Sequence, residues 1–104
     1  MTQQFTVFKT TRNREAFPYV MLVQHALLSV LPVRVVVPLS PRRKFSGPTV
    51  PRLNPEFTVD GQDVVMMTHL IGAVSAGSFG KPVANLAKHR SEIIAALDTL
   101  FSGV

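Results

Sequence analysis

Residues 57–68 read FTVDGQDVVMMT and carry the clearest β-hairpin signal in the chain. Two apolar arms, residues 57–59 and 64–68, flank the dipeptide formed by Asp60 and Gly61. Asp-Gly is favoured in two-residue hairpin turns because both central residues then adopt positive φ, which matches the twist of the paired strands. The stretch therefore predicts an antiparallel hairpin and favours a β-rich fold.

The N-terminal part predicts a second hairpin. Residues 5–7 alternate between apolar and polar side chains, residues 10–15 are polar and charged, and residues 19–24 are again apolar in character. Alternation is typical of a strand with one buried face, and the polar stretch between the two segments is typical of a turn. We therefore expect two antiparallel strands here.

The most β-branched run of the chain is VRVVVPL, residues 33–39. β-branched side chains favour strands, whereas Pro38 has no N–H and is predicted to mark a strand end, a bulge or an edge. A weaker strand is predicted over residues 74–79. Five or six short strands followed by a helix predict a mainly β fold with one C-terminal α-helix, as a small antiparallel barrel or a highly curved sheet.

The C-terminal part has helical spacing. Apolar residues follow Leu86 in the pattern that lines one helix face, at Ile93, Ile94, Leu97, Leu100 and Phe101. Asn85 is predicted as the N-cap within a residue or two, Pro82 lies just upstream, and Gly103 is predicted to end the helix. The simplest interpretation of Leu100 and Phe101 is that they close the hydrophobic core.

The length of 104 residues predicts a single domain that spans residues 1–104. The chain has no apolar run of about 18 residues, and residues 1–8 lack the charged and apolar regions of a signal peptide. We therefore expect a soluble, cytoplasmic protein with no membrane partner. The absence of cysteine excludes disulfides and thiolate metal sites.

The chain is basic. Eleven Lys and Arg residues against six Asp and Glu give a formal charge of +5, and many of the cations fall in residues 9–14 and 34–52. Such a surface favours an acidic protein partner or a nucleic acid. A solvated basic face is the alternative, because no aromatic residue that could stack on a base is interleaved with the run Arg42, Arg43 and Lys44.

No set of residues indicates a catalytic, metal or cofactor site. His25, His69 and His89 fall on separate predicted elements, without a second ligand at useful spacing. Asp60 and Asp63 lie near a predicted turn, where Asp commonly bonds the local backbone. The glycines match neither a phosphate loop nor a dinucleotide-binding motif. We therefore expect no catalytic residues, no cofactor and no bound metal.

Several segments together resemble the CcdB family of bacterial toxins. The matching stretches cover most of the chain in consistent order, and they are YVMLVQHALL at 19–28, VRVVVPL at 33–39, residues 53–68 with their closing MMT, GKPVANL at 80–86, and residues 89–104. Each stretch is short, so the resemblance rests on their order and spacing and on the closing pattern of apolar, small, glycine and apolar residues.

The resemblance implies a homodimeric, SH3-like small β-barrel with a C-terminal helix, a fold shared with the MazF and Kid ribonuclease toxins. It implies a non-enzymatic toxin of a type II toxin–antitoxin system, which binds the DNA gyrase A subunit and traps the cleaved gyrase–DNA complex. A CcdA-like antitoxin with a disordered acidic region would neutralise the toxin and, with it as co-repressor, repress their operon. DNA would then be contacted only indirectly, through gyrase or the antitoxin.

Carried over by position, the gyrase-binding residues lie after the second strand and at the end of the helix. They are Leu27, Leu28, Asp98, Phe101, Ser102, Gly103 and Val104. Gly103 would allow close backbone approach, and Val104 would supply a small apolar contact. For Leu27 and Leu28, ordinary core packing is the alternative interpretation.

The chain departs from the family pattern at two places. Ser102 stands where the plasmid-encoded toxin has a tryptophan that can stack on a gyrase arginine, a cation–π contact worth about 1–2 kcal/mol when desolvated. Leu22, His25 and Ala26 replace acidic or hydroxyl residues, which alters the surface offered to an antitoxin. Poisoning could thus be weakened, retuned or lost, and a protein that only binds its antitoxin is one alternative.

An enzymatic alternative also stays open on the same fold. A metal-free endoribonuclease that cleaves mRNA builds its site from Arg, Thr and acidic side chains on distant strands, so spacing along the chain does not exclude it. The side chains that motivate this hypothesis are Arg34, Arg42, Arg43 and Thr68.

Overall fold

The structure is a computed structural model that describes residues 3–11, 17–44 and 48–103, the side chain of Lys44 apart. Seven strands and one α-helix lie in these ranges. They are β1 (Thr6–Lys9), β2 (Tyr19–Leu22), β3 (Val33–Pro41), β4 (Glu56–Val59), β5 (Gln62–Met66), β6 (Gly72–Ser75), β7 (Pro82–Asn85) and α1 (Arg90–Ser102). The mainly β class with a C-terminal helix is confirmed.

The strands form one antiparallel sheet that curls into half a barrel. Its order is β4-β5-β3-β2-β1-β7, and β6 also pairs with β3. The long strand β3 is shared: its first half pairs with β6, with Val36 opposite Gly72, and its last residues pair with β5, with Leu39 opposite Met66. The other edge of β3 pairs with β2. Strand β3 is therefore the central strand of the sheet, paired with β2, β5 and β6.

The hairpin predicted at residues 57–68 is confirmed as β4 and β5. Asp60 and Gly61 connect the strands with φ of 55° and 77°, the positive values that this turn requires. The Thr58 hydroxyl donates to the Asp63 carboxylate across the strands at 3.1 Å. Asp63 is thus a structural residue of the hairpin, although its partner is a side chain of the paired strand and not the local backbone that the sequence favoured.

The N-terminal hairpin is confirmed as well, with Val7 of β1 opposite Met21 of β2. Most of the turn predicted at residues 10–15 lies outside the described residues. Just before β1, Phe5 is buried with a positive φ of 69°, and its N–H donates to the Leu22 carbonyl at 2.6 Å. The chain therefore enters the sheet through a backbone conformation that a bulky residue rarely adopts.

Pro38 lies inside β3 and does not end it. The β6 partner stops at Val36 and the β5 partner begins at Leu39, so Pro38 falls where the neighbouring strand changes. On that side its carbonyl accepts the Met67 N–H at 3.0 Å. Because the missing N–H would point into this gap, proline is tolerated in a strand that is otherwise central.

The core lies between the concave sheet and α1. The fully buried side chains at its centre include Val7, Met21, Val37, Leu39, Val59, Val64, Met66, Ile93 and Ala96. A smaller cluster on the other side of the sheet joins Phe8, Leu22 and Val36, with the Phe8 and Phe79 rings stacked at 4.5 Å.

The α-helix starts later than the sequence predicted. Pro82 opens strand β7, which runs to Asn85, and the helix begins at Arg90. Asn85 is therefore not the N-cap of the helix; its side chain accepts the Ala87 N–H at 2.8 Å, at the start of the short 3₁₀ turn Ala87–His89, whose N-cap is Leu86. At the other end the prediction is confirmed: Gly103 has φ of 74° and its N–H donates to the Thr99 carbonyl at 3.0 Å.

Across the described ranges, no helix combines the length and apolar character needed to cross a membrane.

Candidate functional site

The predicted site residues fall into two exposed segments. We call residues 98–103 the C-terminal segment and residues 26–33 the apolar loop. Val104 lies outside the described residues. Among the described residues, no hydrogen bond or ion pair links residues 26–33 to residues 100–103.

The C-terminal segment extends from a helix that is anchored in the core. Ile93 and Ala96 are fully buried, and Leu97 packs against the same core cluster. One turn further on, Phe101 is 74% exposed. The hypothesis that Phe101 closes the core is therefore wrong, because its ring faces solvent in the chain.

Ser102 is exposed, and its hydroxyl is engaged within the helix. Its Oγ donates to the Asp98 carbonyl at 2.7 Å. The same type of bond joins the Thr99 hydroxyl to the Ala95 carbonyl at 2.9 Å. The Ser102 hydroxyl is thus satisfied within the helix. Phe101 is the large apolar side chain that the described end of the helix presents to solvent.

The apolar loop exposes large side chains in an unusual concentration. Leu27 is 81% exposed and Val30 is 87% exposed, and Leu28 and Leu31 are about half exposed at 48% and 44%. Core packing of Leu27 and Leu28 is therefore excluded in this chain. Side chains of this kind contribute little to folding while they face water, so a cluster of them typically marks a binding surface.

Hydrogen bonds from three flanking side chains hold the loop backbone. The His25 ring accepts the Leu27 N–H at its Nδ1, at 3.0 Å. The buried Gln24 amide donates to the Leu28 carbonyl at 3.0 Å. The Arg34 guanidinium donates to the Ser29 carbonyl at 2.9 Å and also reaches the Leu31 carbonyl. The loop is thus an ordered element, although it contains only one 3₁₀ turn, Ala26–Leu28.

The sequence interpretation missed the contribution of Val30, Leu31, Gln24 and Arg34. One signal was available: Gln24 ends an apolar run and Arg34 interrupts a β-branched run, so each is a polar residue at a position where burial is expected. A buried polar side chain needs hydrogen-bond partners. The loop carbonyls between these two residues are those partners.

The side chains of the ribonuclease hypothesis are not brought together. Arg34 and Arg42 are eight residues apart along β3 and its end, about 26 Å at the rise of an extended strand. Thr68 is fully buried, and its hydroxyl donates to the Leu53 carbonyl. Arg42 forms an ion pair with Glu56 at 3.4 Å. This set therefore does not form a common active site within one chain.

The three histidines lie apart, each with local partners. His89 contacts Glu92 at 3.3 Å and the Phe57 ring at 5.0 Å, and His69 lies 3.5 Å from the Asn54 side chain. In the part of the chain that the structure describes, no group of three or more His, Asp or Glu residues could hold a metal ion.

Comparison with known families gives one match that covers nearly the whole chain. The family model described as CcdB protein matches residues 4–103 of 104. The match includes the apolar loop and all of the described C-terminal segment. No curated protein matches the chain.

Proposed function

The chain belongs to the CcdB family of toxins from toxin–antitoxin systems, and from this premise we propose that it poisons DNA gyrase without being an enzyme. In this proposal the protein is a single-domain homodimer. Its C-terminal segments bind the gyrase A subunit while the DNA is cut, and they block religation by trapping the cleaved complex. Leu27 and Leu28 of the apolar loop extend the binding surface.

One observation carries the proposal: an exposed aromatic ring, Phe101, stands at the end of a helix whose preceding turns are anchored in the core. An aromatic side chain on a rigid support binds with little loss of conformational entropy. Aromatic residues are also enriched among the side chains that dominate interface energies. Gly103 then allows the backbone of the target to approach closely, since it carries no side chain.

The partner in regulation is a CcdA-like antitoxin. The net charge of +5 and the exposed Arg43 and Arg52 suit its acidic, disordered region, which would order on binding. In this proposal the antitoxin releases gyrase, and the toxin and antitoxin together repress their operon in the cytoplasm. DNA is contacted through gyrase or through the antitoxin.

The test is gyrase-dependent linearisation of supercoiled DNA by the purified protein. We expect cleavage by the full chain, and loss of cleavage on deletion of Gly103 and Val104. Val50→Ala is the matched control, because Val50 is an exposed apolar residue at 52% on a different loop. It should cleave like the full chain. Circular dichroism checks that all three proteins fold alike.

Three outcomes would contradict parts of this proposal. If the truncated protein still causes cleavage, the C-terminal segment is not the binding element. If the full chain cleaves long RNA in the presence of chelator and without gyrase, the protein is a ribonuclease. If it binds antitoxin tightly but neither cleaves DNA with gyrase nor arrests growth, it has lost poisoning, as the absence of an aromatic residue at Ser102 would permit.

A further inference from the structure

We infer that Arg34 and Gln24 are positioning residues of the target-binding surface. They fix the apolar loop, before any target is met, in the conformation that displays Leu27 and Val30. This inference rests on the proposed function, and it adds two residues whose side chains bond the backbone of the loop and of β3.

The Arg34 guanidinium donates hydrogen bonds to three backbone carbonyls in and beside the loop. Its Nη2 donates to the Ser29 carbonyl at 2.9 Å, and its Nη1 donates to the Val33 carbonyl at 3.0 Å and to the Leu31 carbonyl. The side chain is half-buried. A planar guanidinium presents several donors in fixed directions, so one side chain can orient three carbonyls at once. The ammonium group of lysine lacks this geometry.

Gln24 joins the loop to the strand that follows it. Its Nε2 donates to the Leu28 carbonyl at 3.0 Å and to the Val33 carbonyl at 3.3 Å, while its Oε1 accepts the Val35 N–H at 2.9 Å. Gln24 is buried at 8% exposure. Since the donors and the acceptor of its amide are all used, the ends of the loop are held at a fixed separation.

The two networks turn the polar backbone of the loop inward and its apolar side chains outward. Backbone bonds complete the arrangement: the N–H groups of Leu28, Ser29 and Leu31 donate to the carbonyls of His25, Ala26 and Leu28 at 2.9, 3.1 and 3.0 Å. A loop that is ordered in the free protein loses less conformational entropy on binding than one that must be ordered by its target. We therefore expect that positioning of the loop by Arg34 and Gln24 raises the affinity for the target.

The test compares Arg34→Met and Arg34→Lys with a matched control, Lys81→Met, which removes an exposed cation just before β7. Two quantities are measured: amide hydrogen exchange at Leu28, Ser29 and Leu31 in the free protein, and affinity for the purified gyrase A subunit. For Arg34→Met we expect exchange to rise and affinity to fall, each by about tenfold, in keeping with the loss of one or two hydrogen bonds.

Arg34→Lys keeps the charge and part of the hydrogen bonding, so it should recover part of both effects. It also keeps the experiment decisive if Arg34→Met folds poorly. Lys81→Met should match the unchanged protein in exchange and in affinity. Protection of the amides of β5 should stay constant in every variant, since this strand lies in the core hairpin.

Failure of the inference and failure of the proposed function give different results. If the unchanged protein does not bind gyrase, the proposed function is wrong and the positioning role falls with it. If the unchanged protein binds and both Arg34 variants keep its affinity, only the inference is overturned. Faster exchange that extends to β5 with the loss of affinity would also overturn it, since Arg34 would then support the whole fold.

Discussion

The apolar loop and the C-terminal segment both present large apolar side chains to solvent, but they are held in place in different ways. The loop has little regular structure of its own, and Gln24, His25 and Arg34 hold its backbone from either side. The C-terminal segment belongs to a helix that satisfies its own backbone groups and is anchored through Ile93.

Because of this difference, we expect the two regions to lose their conformations through different substitutions. The conformation of the loop depends on a few polar side chains, so it can be lost while the sheet stays folded. The direction of the C-terminal segment depends on the hydrophobic core, so it is lost only when the helix leaves the sheet. Substitutions that act on one region should therefore leave the other unchanged, except where they act on the core itself.

The largest effect is expected for Ile93→Ala. Ile93 is fully buried in the core cluster, and truncating such a residue costs about 2–5 kcal/mol in the free energy of unfolding. Ile94→Ala is the matched control, because the neighbouring Ile94 is only partly buried, and about half that cost is expected. Urea unfolding followed by circular dichroism measures both. Equal losses for the two variants would show that Ile93 is not the anchor of the helix.

The next effect is expected for Gln24→Met, which keeps the length of the side chain but removes its amide. The Leu28 carbonyl and the Val35 N–H then lose a buried partner, at a cost of about 1–3 kcal/mol in the free energy of unfolding. Gln62→Met on β5 is the control, because Gln62 is partly exposed, and we expect little change there. Amide exchange should rise in the apolar loop and stay constant in α1. Faster exchange in both regions would contradict their independence.

Local signals made much of the fold predictable. Asp60 and Gly61 fix their turn through their own backbone preferences, and Gly103 ends the helix in the same way. The start of the helix was misplaced because Pro82 and Asn85 are equally suited to an edge strand and a short turn. What decides between these roles is pairing with β1, where Asn85 lies opposite Thr6. That contact is distant in sequence and leaves no local pattern.

The site residues could be predicted only in part, because their exposure depends on contacts between segments that are distant in sequence. The resemblance indicated Leu27, Leu28 and Phe101, but spacing alone favoured the core for Phe101, because it continues the apolar stripe of the helix. The structure leaves its ring 74% exposed, which the periodicity of the helix does not show. Gln24 and Arg34 stand out as polar residues beside apolar runs, but their partners could not be predicted, since the carbonyls of the loop carry no side-chain signal.

An intermediate effect, this time on binding, is expected for Ser102→Trp. The serine hydroxyl bonds only the exposed Asp98 carbonyl, so replacing it should change stability little. An indole ring there could stack on a cation of the target, and a contribution of about 1–2 kcal/mol corresponds to roughly tenfold higher affinity for the gyrase A subunit. Ser91→Trp, at the exposed opposite end of α1, is the control. Equal affinities for both variants would show that position 102 does not face the target.

The smallest effect is expected for Gly103→Ala. Gly103 has φ of 74°, and beyond its chain neighbours no atom lies within 4 Å of the position that a Cβ would occupy, so the substitution adds strain without a clash. A left-handed conformation costs an L-residue about 1 kcal/mol or more, which lowers the melting temperature by about 4–8 °C per kcal/mol in a domain of this size. Gly77→Ala is the matched control, because its Cβ position is equally open and its φ is not in the left-handed region. Thermal unfolding should therefore place Gly103→Ala below the unchanged protein and Gly77→Ala level with it or slightly above. Amide exchange in the apolar loop should be unchanged in both variants. Equal melting of the two would mean that Gly103 adopts another conformation in solution, and the C-terminal segment would then lack the fixed helix end that distinguishes it from the loop.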